Sequence, residues 1–162
     1  MEPREHTQAF ARTVLHNLEH QQDWTQLTTH TRPVAPDGGP GRPLLAGLPP
    51  RRLYTHPDEQ LELIKAERAL GRGVAQPPEV EWVLPTHVAE TWTLRRFAAV
   101  FDALDGLPPG APEADAQEEG AEPWMRWRGT KRGKRLLLAI VQDDSTVVYY
   151  LMHDGVVKPR PN

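Results

Sequence analysis

At 162 residues, 38% hydrophobic and 25% charged, the chain suits one compact domain and is too short for two full cores. It has no cysteine, which removes disulfides, thiolate metal sites and a cysteine nucleophile, and no apolar run reaches the roughly 20 residues of a membrane-spanning helix. The net charge of −3 hides an asymmetry: residues 107–123 hold five acids and no Lys or Arg, leaving 17 of the 22 acids against 19 cations elsewhere, so bulk charge does not mark a nucleic-acid binder.

The first residues, Met1 to His6, carry no apolar core of a secretory signal, and the expectation is a soluble intracellular protein. Residues 5–20 place Phe10, Val14 and Leu18 on one helical stripe. Trp24 to Thr29 is short and β-prone. Residues 31–50 hold six Pro and four Gly, which reads as a loop with no helix or inner strand. Leu53-Tyr54-Thr55 is a short extended candidate. Pro57 suits the first turn of a helix, with Asp58 and Glu59 at its positive end, running through Leu61, Ile64 and Leu70 to a stop at Gly71.

Val80 to Leu84 reads as a strand closed by Pro85. Leu94, Phe97, Ala98, Phe101 and Leu104 follow at spacings of three and four, the best amphipathic helix in the chain. Residues 107–123 are rich in Pro, Ala and acids, with too little apolar surface to offset their ordering entropy, and read as a disordered acidic insertion. Arg135–Val141 and Thr146–Met152, joined by Gln142-Asp143-Asp144-Ser145, read as a hairpin. The sum is a single α/β domain: a mixed sheet with flanking helices, ending in an antiparallel strand pair.

Four patterns carry candidate chemistry. His16-Asn17-Leu18-Glu19-His20 is a literal H-x-x-E-H, but it lacks a third ligand and the surrounding fold of a zinc protease, so no metal site is assigned. The run from Trp124 to Arg135 holds Arg126, Arg128, Lys131, Arg132, Lys134 and Arg135, two indoles and no acid. It could pair phosphates and stack bases, or be a solvated loop leading into a strand. No nucleophile elbow or Gly-rich phosphate loop is present, no carboxylate pair stands in an identifiable catalytic setting, and His56, His87 and His153 are expected as capping or surface residues. Finally, Leu136–Val141 and Val147–Leu151 are apolar at nearly every position. The last could be a buried central strand or a sheet edge that pairs with another chain, and the sequence leaves both open.

Several blocks together resemble a known family. They are Arg42-Pro-Leu-Leu-Ala-Gly-Leu-Pro-Pro50, Leu53-Tyr-Thr-His-Pro-Asp-Glu-Gln60, Glu81-Trp-Val-Leu-Pro-Thr86, Phe97–Leu104, and Asp143-Asp-Ser-Thr-Val-Val-Tyr-Tyr150 followed by Asp154-Gly155. The chain resembles the small non-catalytic (Sen-fifteen-type) subunit of the eukaryotic tRNA-splicing endonuclease, in its filamentous-fungal versions. The resemblance implies the endonuclease α/β fold, pairing with a catalytic subunit, and a heterotetramer that excises introns from precursor tRNA. Catalytic members use a Tyr/His/Lys triad to form a 2′,3′-cyclic phosphate.

This chain departs from that triad. Residues 74–79, before the Val80 strand, contain no His, Tyr54 lies too early, before the Leu61 helix, and only Lys134 or Arg135 falls in the Lys slot. Without a group titrating near neutrality there is no proton shuttle, so no catalytic residue, cofactor or metal is expected. The resemblance further implies that the acidic turn Asp143-Asp144 docks in a basic cleft of the opposite half of the tetramer. It also implies that Val147, Val148, Tyr149, Tyr150 and Leu151 pair with the catalytic partner; expressed alone, the chain is expected to self-pair through the same strand into a homodimer. A nuclear address, or the cytoplasmic face of the mitochondrial outer membrane, comes with the family. A catalytic subunit of the same fold and a stand-alone RNA-binding module are the alternatives.

Overall fold

A computed structural model describes residues 3–31, 41–104, 106–111, 122–128 and 132–155. Helix α1 (Pro3–His20) leads into strand β1 (Thr25–Thr31), strand β2 (Pro43–Leu48) and helix α2 (Pro57–Leu70). Strand β3 (Glu81–His87), helix α3 (Leu94–Ala103), a 3₁₀ turn (Pro123–Trp127), and strands β4 (Arg135–Val141) and β5 (Val147–His153) complete the chain. The five strands form one mixed sheet in the order β1-β2-β3-β4-β5, with β3 and β4 parallel and all other neighbours antiparallel. The α/β class and the terminal hairpin are as the sequence predicts.

Side chains alternate across the sheet, as the two-residue strand period requires. Leu44, Ala46, Trp82, Leu84, Leu136 and Leu138 meet Phe101 and Leu104 at α3 on one face. Leu45, Val83, Leu137, Ala139 and Val141 meet Val14 and Leu18 of α1 on the other. After Arg135, β4 is therefore apolar at every position, because both its faces are covered. Leu94, grouped by its spacing with the apolar side of α3, is instead 90% exposed at the helix start.

Two expectations fail for reasons that lie in the strand ends. Residues 43–48, assigned with the rest of 31–50 to a Pro/Gly loop, form an inner strand, paired to β1 and β3. Pro43 opens the strand opposite Thr31 and lies outside the β3 register, so no inner ladder bond is lost to it. Gly47 lies close under β1: a Cβ there would stand 2.6 Å from Leu27 Cδ2, so the end of that side chain would have to shift to admit one. Residues 32–40 of that span lie outside the described residues, as do 112–121 of the acidic insertion; at its end Pro123 opens the 3₁₀ turn.

The second correction is Pro85, which sits inside β3 instead of closing it. β2 pairs with β3 only as far as Val83, and the Pro85 carbonyl accepts from Arg42 Nη2 at 2.9 Å. A guanidinium thus takes the place of the missing strand. Arg42 is itself held by Glu90, Nη1 to Oε1 at 2.6 Å and Nη2 to Oε2 at 3.0 Å.

α2 starts and stops as its sequence dictates. His56 Nδ1 accepts from the Asp58 amide at 3.0 Å, and Gly71 closes the helix at φ 69°, donating to the Glu67 carbonyl. Leu53-Tyr54-Thr55 is irregular chain, not a strand.

Candidate partner-binding edge

The hairpin between β4 and β5 is closed by Gln142 N donating to Thr146 O at 2.8 Å, with Ser145 N donating back to Gln142 O at 3.0 Å. Ser145 adopts φ 68°, as the third residue of such a three-residue loop does. The turn presents Asp143 and Asp144 to solvent. Asp144 Oδ1 accepts from the amide of Thr146 at 3.1 Å and its hydroxyl at 2.7 Å, and these bonds hold its carboxyl below the usual range. Asp143 Oδ1 lies 3.3 Å from His87 Nε2.

Among the described residues no strand pairs with the outer side of β5. Antiparallel ladders alternate, and the bonds at Gln142–Thr146 and Lys134–Asp154 set the phase. Even-numbered residues of β5 therefore bond to β4. The N–H and C=O groups of Val147, Tyr149, Leu151 and His153 point outward. Side chains alternate in the other sense. Val147, Tyr149 and Leu151 lean onto the α1-side core, while Val148 and Tyr150 are 37% and 56% exposed on the opposite face. A free ladder beside an uncovered apolar pair is a surface shaped for strand addition.

The described cations of the Trp124–Arg135 run make contacts inside the chain. Arg132 and Arg135 are 6% and 4% exposed and turn inward. Arg135 forks onto Glu81, with Nε 3.0 Å from both carboxylate oxygens and Nη2 2.5 Å from Oε1. Arg132 Nη1 bridges Glu79 at 3.0 Å and Glu81 at 3.1 Å. Arg128 lies 3.6 Å from Glu59 and donates to Gln76, and Lys134 Nζ donates to the Phe101 carbonyl at 3.0 Å. Arg52, not singled out in the sequence, joins Glu59 at 2.7 Å and Glu79 at 3.0 Å. Arg128, Arg132, Lys134 and Arg135 are each engaged within the chain. Lys131 and the Arg126 side chain lie outside the described residues.

Burial sets the protonation behaviour of this network. It pushes the Glu59 carboxyl up against the pull of Arg52 and Arg128, and it lowers Arg52. Burial also opposes the charge on Arg135, but hydrogen bonds and attraction from Glu81 more than offset that and raise it. Four guanidiniums face three carboxylates, and all the pairs but Arg52–Glu59 join residues far apart in the chain, up to the 69 positions between Glu59 and Arg128, so no local motif signals them.

The remaining candidates are resolved by position. The His16 and His20 rings lie 4.5 Å apart, tilted at 46°, on the exposed side of α1, and among the described residues no group of three or more His, Cys, Asp or Glu could hold a metal ion. His56 caps α2 and stacks on Trp127 at 5.4 Å, and His87 Nδ1 accepts from the Ala89 amide. His153 is half-buried, not a surface residue: its ring meets Tyr54 at 4.4 Å, and Arg135 stands over that Tyr54 ring at 5.7 Å. Burial, with the Arg135 charge, lowers the His153 imidazole. The structure thus brings together a tyrosine, a histidine and a cation, but the cation is locked onto Glu81.

The fold defines an α/β chain whose β5 edge is paired with no strand among the described residues and whose buried arginines are turned onto internal carboxylates. The family model described as Sen15 protein matches residues 13–162, and the chain belongs to that family. It is 55% identical over 162 residues to the probable tRNA-splicing endonuclease subunit tsp-1 of Neurospora crassa, spanning all of this chain and 70% of that protein. It is also similar to the probable tRNA-splicing endonuclease subunit sen15 of Schizosaccharomyces pombe, 28% identical over 93% of this chain and 81% of that one. The tRNA-splicing endonuclease subunit SEN15 of Eremothecium gossypii is 28% identical over 92% of this chain and 87% of its own length.

Proposed function

We propose that this chain is a non-catalytic, structural subunit of a tRNA-splicing endonuclease, which pairs with a catalytic subunit through β5 and helps place precursor tRNA for cleavage. The observation that carries the reading is the outward ladder of Val147, Tyr149 and Leu151, flanked by exposed Val148 and Tyr150. Asp143 and Asp144, at the tip of the same hairpin, are offered to the other half of a heterotetramer, where charge complementarity sets register more than affinity.

The chain supplies scaffold, not chemistry. Removing a 2′-hydroxyl proton needs an accessible base, and holding a phosphate needs a free cation. Tyr54, His153 and Arg135 meet where Arg135 is 4% exposed and forked onto Glu81. No helix among the described residues is long and apolar enough to cross a membrane. The address we assign is the nucleus, with the cytoplasmic face of the mitochondrial outer membrane as the alternative; imaging of the tagged protein distinguishes them.

The deciding experiment is co-purification of the other endonuclease subunits with a Val148→Asp/Tyr150→Asp variant. Both side chains are exposed in the free chain, so the fold is expected to survive while the catalytic partner is lost. Recovery of that partner at wild-type yield would falsify the edge-pairing reading.

A further inference from the structure

A second feature lies along the same edge. Arg12, Thr13, His16, Asn17 and Gln21 of α1 and Ser145 of the hairpin turn line an open groove of about 360 Å³. Its floor is ordered: Tyr149 Oη donates to Asn17 Oδ1 at 2.5 Å, and Asn17 Nδ2 donates to Gln21 Oε1 at 2.8 Å. Burial raises the Tyr149 phenol, so it stays a donor at neutral pH and keeps Asn17 in place. With those bonds made, the groove offers mainly donors. Arg12 has no carboxylate partner among the described residues, and the Gln21 amide nitrogen and Ser145 hydroxyl are open. None of the six lining residues is acidic.

We infer that this groove receives a hydrogen-bond-accepting side chain, a carboxylate or an amide carbonyl, carried by the partner strand that adds to β5. The inference rests on the edge-pairing reading of β5. An added strand alternates its side chains between the two sheet faces. On one face they cover Val148 and Tyr150 and must be apolar. On the other they follow Tyr149 toward α1 and reach Arg12 and Asn17. The partner strand is therefore two-faced, and the groove fixes which way up it lies. Phosphate is the less suitable occupant, because Asp143 and Asp144 precede Ser145 in the turn and repel a polyanion.

The test is the affinity of the pairwise complex formed by the full chain and its co-expressed catalytic partner. Arg12 is exposed on α1, so Arg12→Ala is expected to keep the wild-type melting curve and to weaken pairing by about tenfold. Strong salt dependence of the wild-type complex, absent in Arg12→Ala, identifies a carboxylate; a salt-independent loss identifies an amide. If Arg12→Ala pairs within twofold of wild type while Val148→Asp/Tyr150→Asp does not pair, the groove inference is overturned and the edge reading stands. If both variants pair normally, the edge reading fails first. A loss confined to tRNA affinity of the assembled complex assigns the groove to RNA and overturns the proposal.

Discussion

Tyr149 donates its phenolic hydrogen to the side-chain oxygen of Asn17 across 2.5 Å, tying the edge strand to the first helix. Burial raises this phenol well above its ordinary value near 10. The unfolded chain then loses that proton at lower pH than the folded one, so stability falls as pH rises above about 10. Tyr149→Phe is expected to cost about 1 kcal/mol at pH 7 and to flatten the alkaline loss. Urea melts at pH 7, 9.5 and 11 check both.

Proline scanning separates the two sides of β5. Tyr150 lies in the register that bonds to β4, so Tyr150→Pro breaks the hairpin at a cost of about 3 kcal/mol or more. The Leu151 N–H points outward, and edge strands accept proline on that side. Leu151→Pro is expected to leave most of the stability intact yet abolish co-purification of the catalytic partner. Equal destabilisation by the two substitutions would show the ladder phase to be wrong.

The acidic turn should act at a later stage of assembly. Asp143→Lys with Asp144→Lys reverses the sign at the hairpin tip without touching the β5 ladder. The expected outcome is a normal pairwise complex and a tetramer that dissociates, read by size-exclusion chromatography. An intact tetramer would remove the turn from the docking contact.

Glu81 holds two buried guanidiniums, those of Arg132 and Arg135. Glu81→Gln leaves both short of a counter-charge and is expected to destabilise the fold by about 3–5 kcal/mol. A matched apolar replacement, Glu81→Met with Arg135→Met, should recover part of that loss. If Glu81→Gln melts like wild type while RNA binding by the complex falls, these arginines face substrate instead.

Glu90 behaves as an acid-side counterpart. Burial pushes its carboxyl up, but hydrogen bonds and charge from Arg42 outweigh that and hold it below the usual range. A depressed carboxylate stabilises above its unfolded value near 4.3, and that contribution is lost as pH falls through the lower folded value. Arg42→Ala is expected to cost about 1–3 kcal/mol at pH 7. The gap to wild type should narrow below about pH 4.

Local rules were enough for much of this molecule. Apolar spacing marked α1 and α3, Pro57 and Gly71 bracketed α2, and two β-rich runs around Asp143-Asp144 marked the hairpin. These signals are legible because each depends on residues within a turn or two of one another. Pro43 and Pro85 misled, since a proline breaks a strand only where a neighbour needs its N–H. Neither position meets that condition, Pro43 because it opens β2 and Pro85 because Arg42 replaces the neighbour.

The amino-acid order by itself determined the three helices, the C-terminal hairpin, the family resemblance and the acidic hairpin tip. Only the tertiary structure decided that β4 is interior and β5 is the edge, because apolar residues on both faces are compatible with either place in a sheet. It also decided that Arg132 and Arg135 turn inward, because Glu81, which both of them meet, stands some fifty residues earlier and reaches them only when β3 and β4 lie side by side.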